Sequence, residues 1–302
     1  MLSYLHSFHA GNHADILKHV TLLYVLEYLN KKEKPYSFFD THAGSGLYDL
    51  MAENALKTGE ARLGIERLLS EYKKNAPEMP SALAPYLDFV KKSLEKGFYP
   101  GSPAFEISFS KKGSFINLTE LHRKEFESLK KNVERLKPSC SVNLLNDSGW
   151  NILKKNIPPA IKRGAILCDP SYEEKSDYTD AAELLSAAHK KWSAATVLLW
   201  YPLLANKSEE IENMKQSILS AAKKRDSHTE ILDARLLVDT EDSHTETTLE
   251  KSIGSERPRL YGSGMFAVRP CWGLKEHLES VLPYLAELLG KEGNGSYKIE
   301  LF

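Results

Sequence analysis

The segment from Gly164 to Tyr172, Gly-Ala-Ile-Leu-Cys-Asp-Pro-Ser-Tyr, constrains the fold more than any other. A short apolar run with a glycine before it and a proline just after it predicts a buried strand over 165–168 that turns sharply at its carboxyl end. Asp-Pro after a strand is by itself an ordinary turn. What sets this one apart is the set of groups it would present together. The Asp169 carboxylate and the Pro170 carbonyl can accept the two hydrogens of an exocyclic amine, while the Tyr172 ring offers a face to the flat base that carries it.

The remainder of the chain repeats the strand-then-helix rhythm. Strands are predicted at 35–40, 115–120, 142–145, 165–168, 196–201, 230–238 and 265–268, with helices at 150–154, 178–192, 208–223 and 275–289 between and after them. Such alternation predicts an α/β fold, a doubly wound and mostly parallel sheet with helices on both faces. Ligands of such sheets sit beyond the carboxyl ends of the strands. Asp40, Glu120, Asp147 and Asp169 all fall at those ends and are expected to converge on one crevice. At 302 residues the chain is read as one domain, 1–302, with a helical insertion over 50–98 where Glu/Lys-rich amphipathic patterns break near Pro77, Pro80 and Pro85. The polar, aperiodic stretch 239–259 reads as a mobile loop.

Three further stretches supply polar groups. Asn12 is placed to cap a helix running to about Leu29, whose stripe Leu22, Val25, Leu26 and Leu29 steps back onto Asp15, Lys18 and His19. A carboxylate, an ammonium and an imidazole on an inward stripe are costly to bury, so they are expected to edge a cleft or to form a hydrogen-bonded cluster. After the first strand comes Thr-His-Ala-Gly-Ser-Gly, where Gly44 and Gly46 allow close backbone approach to a ligand; the Lys-Ser/Thr of a triphosphate loop is missing. In Tyr99-Pro-Gly-Ser-Pro103, Ser102 can cap a helix or reach a ligand. Glu120, an acid ending the second strand, is placed to accept from ribose hydroxyls.

Charge and cysteine content narrow the function classes. A net charge of −1 argues against coating nucleic acid through an overall field, so any such contact is local. The three cysteines are too widely spaced for paired metal ligands, and the amino-terminal histidines lack a recognisable metal spacing; no metal is expected. No apolar run approaches the ~20 residues that cross a bilayer, and no export signal is visible. A cytoplasmic protein with no membrane partner is the expectation.

Taken together, the glycine loop after a strand-end Asp, the acid after the second strand, Asp after the third and Asp-Pro-x-Tyr after the fourth resemble S-adenosylmethionine-dependent amino-group methyltransferases. More narrowly, Ser-Phe-His-Ala-Gly-Asn-His-Ala-Asp-Ile-Leu-Lys-His (7–19), Asp-Thr-His-Ala-Gly-Ser-Gly, Tyr-Pro-Gly-Ser-Pro, Thr-Glu-Leu-His, Leu-Trp-Tyr-Pro (199–202) and Gly-Ser-Gly-Met resemble the RlmJ-type family. The resemblance implies a Rossmann-like class I fold with a seven-stranded sheet, S-adenosylmethionine as cofactor and S-adenosylhomocysteine as product. It also implies methylation of an adenine N6 in 23S ribosomal RNA, with no obligate protein partner. By the same resemblance Lys18 and His19 would flank the cofactor, with His42 and Gly44 contacting it from the loop. Ser102 would hold its methionine side, Glu120 its ribose, and Asp147 with Ser148 its adenine. Asp169 would bridge cofactor and target amine, Tyr172 would stack on the base and Tyr4 would touch the RNA. Two departures stand out. Ser171 occupies the place of a usual second proline, and an extra residue in Asp-Ser-Gly-Trp leaves open whether Ser148 or Gly149 lines the cofactor. DNA adenine methylation, or RNA binding with weakened catalysis, are the alternatives.

Overall fold

The computed structural model describes residues 6–241 and 260–302. Tyr4 and all but the first three residues of the predicted loop 239–259 lie outside them. In chain order the elements are α1 (His13–Asn30), β1 (Ser37–Asp40), β2 (Leu47–Tyr48), α2 (Glu53–Thr58), α3 (Arg67–Asn75), α4 (Ala84–Leu94), β3 (Tyr99–Pro100) and α5 (Ser102–Phe109). There follow β4 (Phe115–Thr119), α6 (Arg123–Leu136), β5 (Ser141–Leu145), α7 (Gly149–Asn156), β6 (Gly164–Cys168), α8 (Ser176–Lys191), β7 (Thr196–Leu203) and α9 (Ser208–Arg225). The chain closes with β8 (Ile231–Leu237), β9 (Gly262–Val268), α10 (Leu274–Leu289) and β10 (Ser296–Leu301).

The main sheet has the order β10-β8-β9-β7-β6-β1-β4-β5. Neighbours from β7 to β5 pair parallel, whereas β9 runs antiparallel to both β7 and β8, and β10 antiparallel to β8. From β1 the chain winds outward through β4 and β5, then returns to start β6 on the other side of β1. The crevice between β1 and β6 is thus the switch point at which such sheets take their ligands. The register puts Asp40 opposite Leu167, so the turn that follows β6 emerges beside the end of β1.

The sheet differs from the expected seven strands by one. The eighth, β10, was not read from the sequence because Ser-Tyr-Lys-Ile-Glu-Leu alternates too weakly to stand out, and its residues are exposed or half-buried at the sheet edge. A further two-stranded ribbon, β2 with β3, joins Leu47 to Pro100 and brackets the helices of the 50–98 segment. Apolar residues of that segment, among them Ile65, Leu68, Tyr86 and Leu87, pack into the same cluster as α1, α5 and α10 on one face of the sheet. A second cluster, with Leu153, Leu185 and Ile218 from α7, α8 and α9, covers the other face.

Helix α1 also departs from the amphipathic stripe. Thirteen of its eighteen residues are buried, because the sheet, α5, α10 and the 50–98 segment enclose it on nearly every side. Asn12 caps it as predicted, accepting from the Asp15 backbone N–H at 3.0 Å.

Away from the crevice, β7, β8 and α9 hold a buried charge cluster. Asp233 is 1% exposed and accepts from Tyr201 Oη at 2.6 Å, from Lys215 Nζ at 2.7 Å and from the Arg235 guanidinium at 2.8 Å. Gly264, paired with Tyr201 across β9, makes this possible: a Cβ there would lie 2.1 Å from the tyrosine ring. Removing the carboxylate would leave the buried ammonium with only the exposed Glu212 at 3.4 Å and the half-buried guanidinium with only Glu300 at 3.6 Å. Asp233→Ala is expected to lower unfolding free energy by about 3–5 kcal/mol, read as a reduced urea midpoint.

Candidate active site

The crevice is built from the carboxyl ends of β1, β4 and β6, the turn before α5, the start of α7 and the first turns of α1. Lys18, 5% exposed, projects from α1 to the turn after β6, where its Nζ donates to Asp169 Oδ2 at 2.5 Å. The same ammonium lies 3.1 Å from Asp15 Oδ1. Asp15 in turn accepts from the Gly11 backbone N–H at 2.8 Å and pairs with His6 Nε2 at 3.0 Å. Burial alone would raise the Asp15 carboxyl, but His6, Lys18 and His19 outweigh it and hold it well below its ordinary value. A continuous relay His6, Asp15, Lys18, Asp169 therefore runs from the amino terminus into the cleft.

On the opposite wall Glu120, just past β4, accepts from the Gly44 N–H at 2.9 Å and the His122 N–H at 2.6 Å. Burial pushes its carboxyl up to about 7, with those two hydrogen bonds opposing. Gly44 has φ +59, and a Cβ there would sit 2.2 Å from Tyr48 Oη, so the loop must run bare of side chains at this point. His42 lines the cleft edge-on to Trp150, ring centres 4.8 Å apart, and burial lowers it to about 4, which keeps it neutral.

Below the cleft floor lies Asp40, fully buried. It accepts from Ser102 Oγ at 2.7 Å and from the His42 N–H at 3.0 Å. Burial raises it to about 6 against those bonds. Beside it lies Glu106, fully buried, its carboxyl against that of Asp40. Burial first, and the neighbouring Asp40, hold Glu106 well above the usual carboxylate range. Ser102 thus ties the start of α5 to the end of β1, and also lines the cleft.

The structure brings Lys18, His42, Gly44, Ser102, Glu120, Ser148, Asp169 and Pro170 to the lining of one cleft. Ser148 and Gly149 both line it. A Cβ on Gly149 would lie 2.1 Å from the Thr41 carbonyl oxygen, so α7 begins in contact with the end of β1.

Three expectations need correction. Tyr172 does not offer its ring to the cleft: with φ +55 its side chain turns into the second core cluster, 7% exposed, and its hydroxyl donates to the Trp200 carbonyl at 2.8 Å. His19 lies beneath the cleft wall, fully buried, its Nδ1 3.2 Å from Tyr99 Oη and its ring 4.8 Å from that of Phe105; burial lowers it to about 3. Asp147 stays off the cleft lining, and its Oδ1 accepts from the N–H of Ser148, the next residue. Sequence reasoning missed Tyr48, whose hydroxyl accepts from the Ser45 N–H at 3.1 Å and shapes the glycine loop. A lone tyrosine eight residues past the end of β1 carries no local signal. Trp150 was visible within Asp-Ser-Gly-Trp without a role.

A family model described as "RsmJ: Ribosomal RNA large subunit methyltransferase D, RlmJ" matches residues 33–302. The chain is similar to "Ribosomal RNA large subunit methyltransferase J" of Haemophilus influenzae, 33% identical over 99% of this chain and 98% of that protein. It is equally similar to the Escherichia coli protein of the same description, 33% identical over 98% and 96%. The chain belongs to the RlmJ family. It is a methyltransferase by that membership, and a crystal structure of a Legionella pneumophila protein, 28% identical, superposes with a TM-score of 0.79 over 97% of this chain and 98% of that one. Among the described residues no helix is long and apolar enough to cross a membrane, and no group of three or more His, Cys, Asp and Glu is arranged to hold a metal ion.

In this RlmJ-family cleft Glu120 gives a pH signature. Its carboxyl sits at about 7 when folded against an ordinary 4.5, so the folded state holds the proton more tightly. The stability tied to that proton is complete below about pH 4.5 and is lost as pH rises through about 7. Glu120→Gln does not titrate; its melting temperature relative to the parent is expected to climb across that interval. A difference constant with pH would place the parent carboxyl in solvent.

Proposed function

We propose that the chain transfers a methyl group from S-adenosylmethionine to N6 of an adenine in 23S ribosomal RNA. Support comes from the ribosomal RNA methyltransferase description printed for both relatives and for the family model, and from the turn after β6 opening at the sheet's switch point. The observation that carries the reading is the Lys18 clamp on Asp169 Oδ2 at 2.5 Å in a cleft also lined by Pro170; Asp169 Oδ1 and the Pro170 carbonyl are the acceptors assigned to the target amine.

The residues present fit the cofactor. Each oxygen of Glu120 accepts only one backbone N–H, so lone pairs remain for the two hydroxyls of a ribose. Hydrogen bonds from those hydroxyls would favour the ionised carboxylate over the protonated form present near pH 7. The bare backbone at Gly44, neutral His42, Ser102 and Ser148 would complete the holding set, without any metal. Bound there, S-adenosylmethionine supplies a methyl group on a sulfonium that departs as a neutral thioether.

The chain's own work is on the nucleophile. An adenine N6 lone pair is delocalised into the ring and attacks poorly. Acceptance of its two hydrogens by Asp169 and the Pro170 carbonyl draws electron density back onto nitrogen as the N–C bond forms. Asp169 then takes the N6 proton, and Lys18 holds the carboxylate in place throughout. Neither Pro170 nor its carbonyl depends on a second proline, so Ser171 leaves the acceptor pair intact. The base must leave its stack to enter, which favours an unpaired adenine.

Asp169→Ala is expected to cut methyl transfer to ribosomal RNA by about 10³-fold or more, measured by radiolabel incorporation, while calorimetry still detects S-adenosylmethionine binding. A near-parental rate would remove Asp169 from the chemistry. Methyl incorporation into DNA but not RNA would favour the DNA reading instead.

A further inference from the structure

The far end of α1 carries a second assembly that methyl transfer does not use. Trp272, in the turn between β9 and α10, is 79% exposed. Lys31 Nζ lies 5.9 Å from its ring centre, 5.5 Å from that of Tyr28 and 5.9 Å from that of Tyr24. Tyr24 Oη donates to the Trp272 carbonyl at 3.2 Å, and its ring stacks on His277 with centres 4.5 Å apart. The turn is built to display the indole: Gly273 has φ +83, and a Cβ on it would lie 2.2 Å from Tyr24 Oη.

Basic groups gather on the same edge. Lys111 Nζ donates to the Asn30 carbonyl at 3.1 Å and the Lys32 carbonyl at 2.6 Å, and Arg163 donates to the Lys34 carbonyl at 2.7 Å. Lys111 and Arg163 are thereby held against the 30–34 segment that carries Lys31, Lys32 and Lys34, with Glu27 and Glu276 as nearby carboxylates and Glu33 in the same segment. An exposed indole contributes little burial, and apolar partners would not explain the surrounding cations. A flat ring beside surplus positive charge matches a single-stranded nucleic acid, whose bases stack and whose phosphates pair with Lys and Arg.

We propose that this face binds an unpaired segment of the RNA substrate, one base stacked on Trp272 and the adjoining phosphates on Lys31, Lys32 and Lys34. The inference rests on the reading that the substrate is ribosomal RNA. Lys18 and Lys31 are separated by thirteen residues of one helix, about 20 Å, so the segment held here is distinct from the adenine in the cleft. Its effect is to raise the affinity for a large folded RNA through a second attachment.

The test uses full-length 23S ribosomal RNA and a hairpin cut from it around the methylated adenine. For the full-length RNA, Trp272→Ala is expected to weaken filter binding about tenfold and raise KM in step, with kcat unchanged; stacking losses are typically of this size or larger. Lys31→Glu should weaken it too, Trp272→Phe should restore most of the loss, and hairpin methylation should be the same in all. Full-length affinity unchanged in both Trp272→Ala and Lys31→Glu overturns the inference and leaves the face to a protein partner. An equal loss on the hairpin also overturns it. A parent protein that binds the full-length RNA through Trp272 yet methylates no adenine overturns the functional reading alone.

Discussion

The ammonium of Lys18, buried between Asp15 and Asp169, is the interaction on which the site depends. It is the point where the first helix of the described fold meets the turn after β6, elements 151 residues apart in sequence. A buried cation is tolerated only with paired charge and hydrogen bonds around it. Here two carboxylates flank it, and the Gly11 amide and His6 satisfy the deeper of them. The orientation of Asp169 is therefore set by a helix enclosed on nearly every side rather than by a surface loop. That is how a short turn gains the rigidity that positioning demands.

The carboxylates around the crevice divide by their partners. Asp15 has the Lys18 ammonium beside it and stays low, whereas Asp40 and Glu106 face each other, Glu120 meets only backbone N–H groups, and all three rise under burial. Only paired carboxylates can be both buried and firmly ionised. The result is a cleft in which charge is concentrated along one wall, at Lys18 and Asp169, while the opposite wall, at Glu120, waits for donors to ionise it.

Much of this was legible in the chain because strand ends carry local signals. The apolar run closed by Pro170, the glycines at 44 and 46 and the acid at 120 each identify a carboxyl end, and parallel winding does the rest. Asn12 announced the start of α1 by its capping geometry. What escaped was decided by tertiary packing. Tyr172 reads as an aromatic shelf, yet its backbone takes φ +55 and its hydroxyl finds the Trp200 carbonyl, a partner in β7 that no spacing rule connects to it. His19 follows Lys18 by one residue, about 100° around the helix, and so faces Tyr99 and Phe105 instead of the cleft. Strand β10 was missed because an exposed edge strand has no continuous apolar run to betray it.

The enclosure of α1 bears on both of its ends. A helix exposed along one side can pivot about its buried stripe; one packed against the sheet, α5, α10 and the 50–98 segment has no free side and moves only with its neighbours. Its first turns deliver Lys18 to Asp169, and its second half brings Tyr24 and Tyr28 around the Lys31 ammonium beside Trp272. Both ends are thus referred to one rigid frame. The separation between the cleft and the aromatic edge is set by helix rise rather than by loop conformation, so a substrate that touches both must itself hold those two segments at that spacing. The geometry of α1 thus fixes the distance between the cleft and the aromatic edge as well as anchoring the carboxylate.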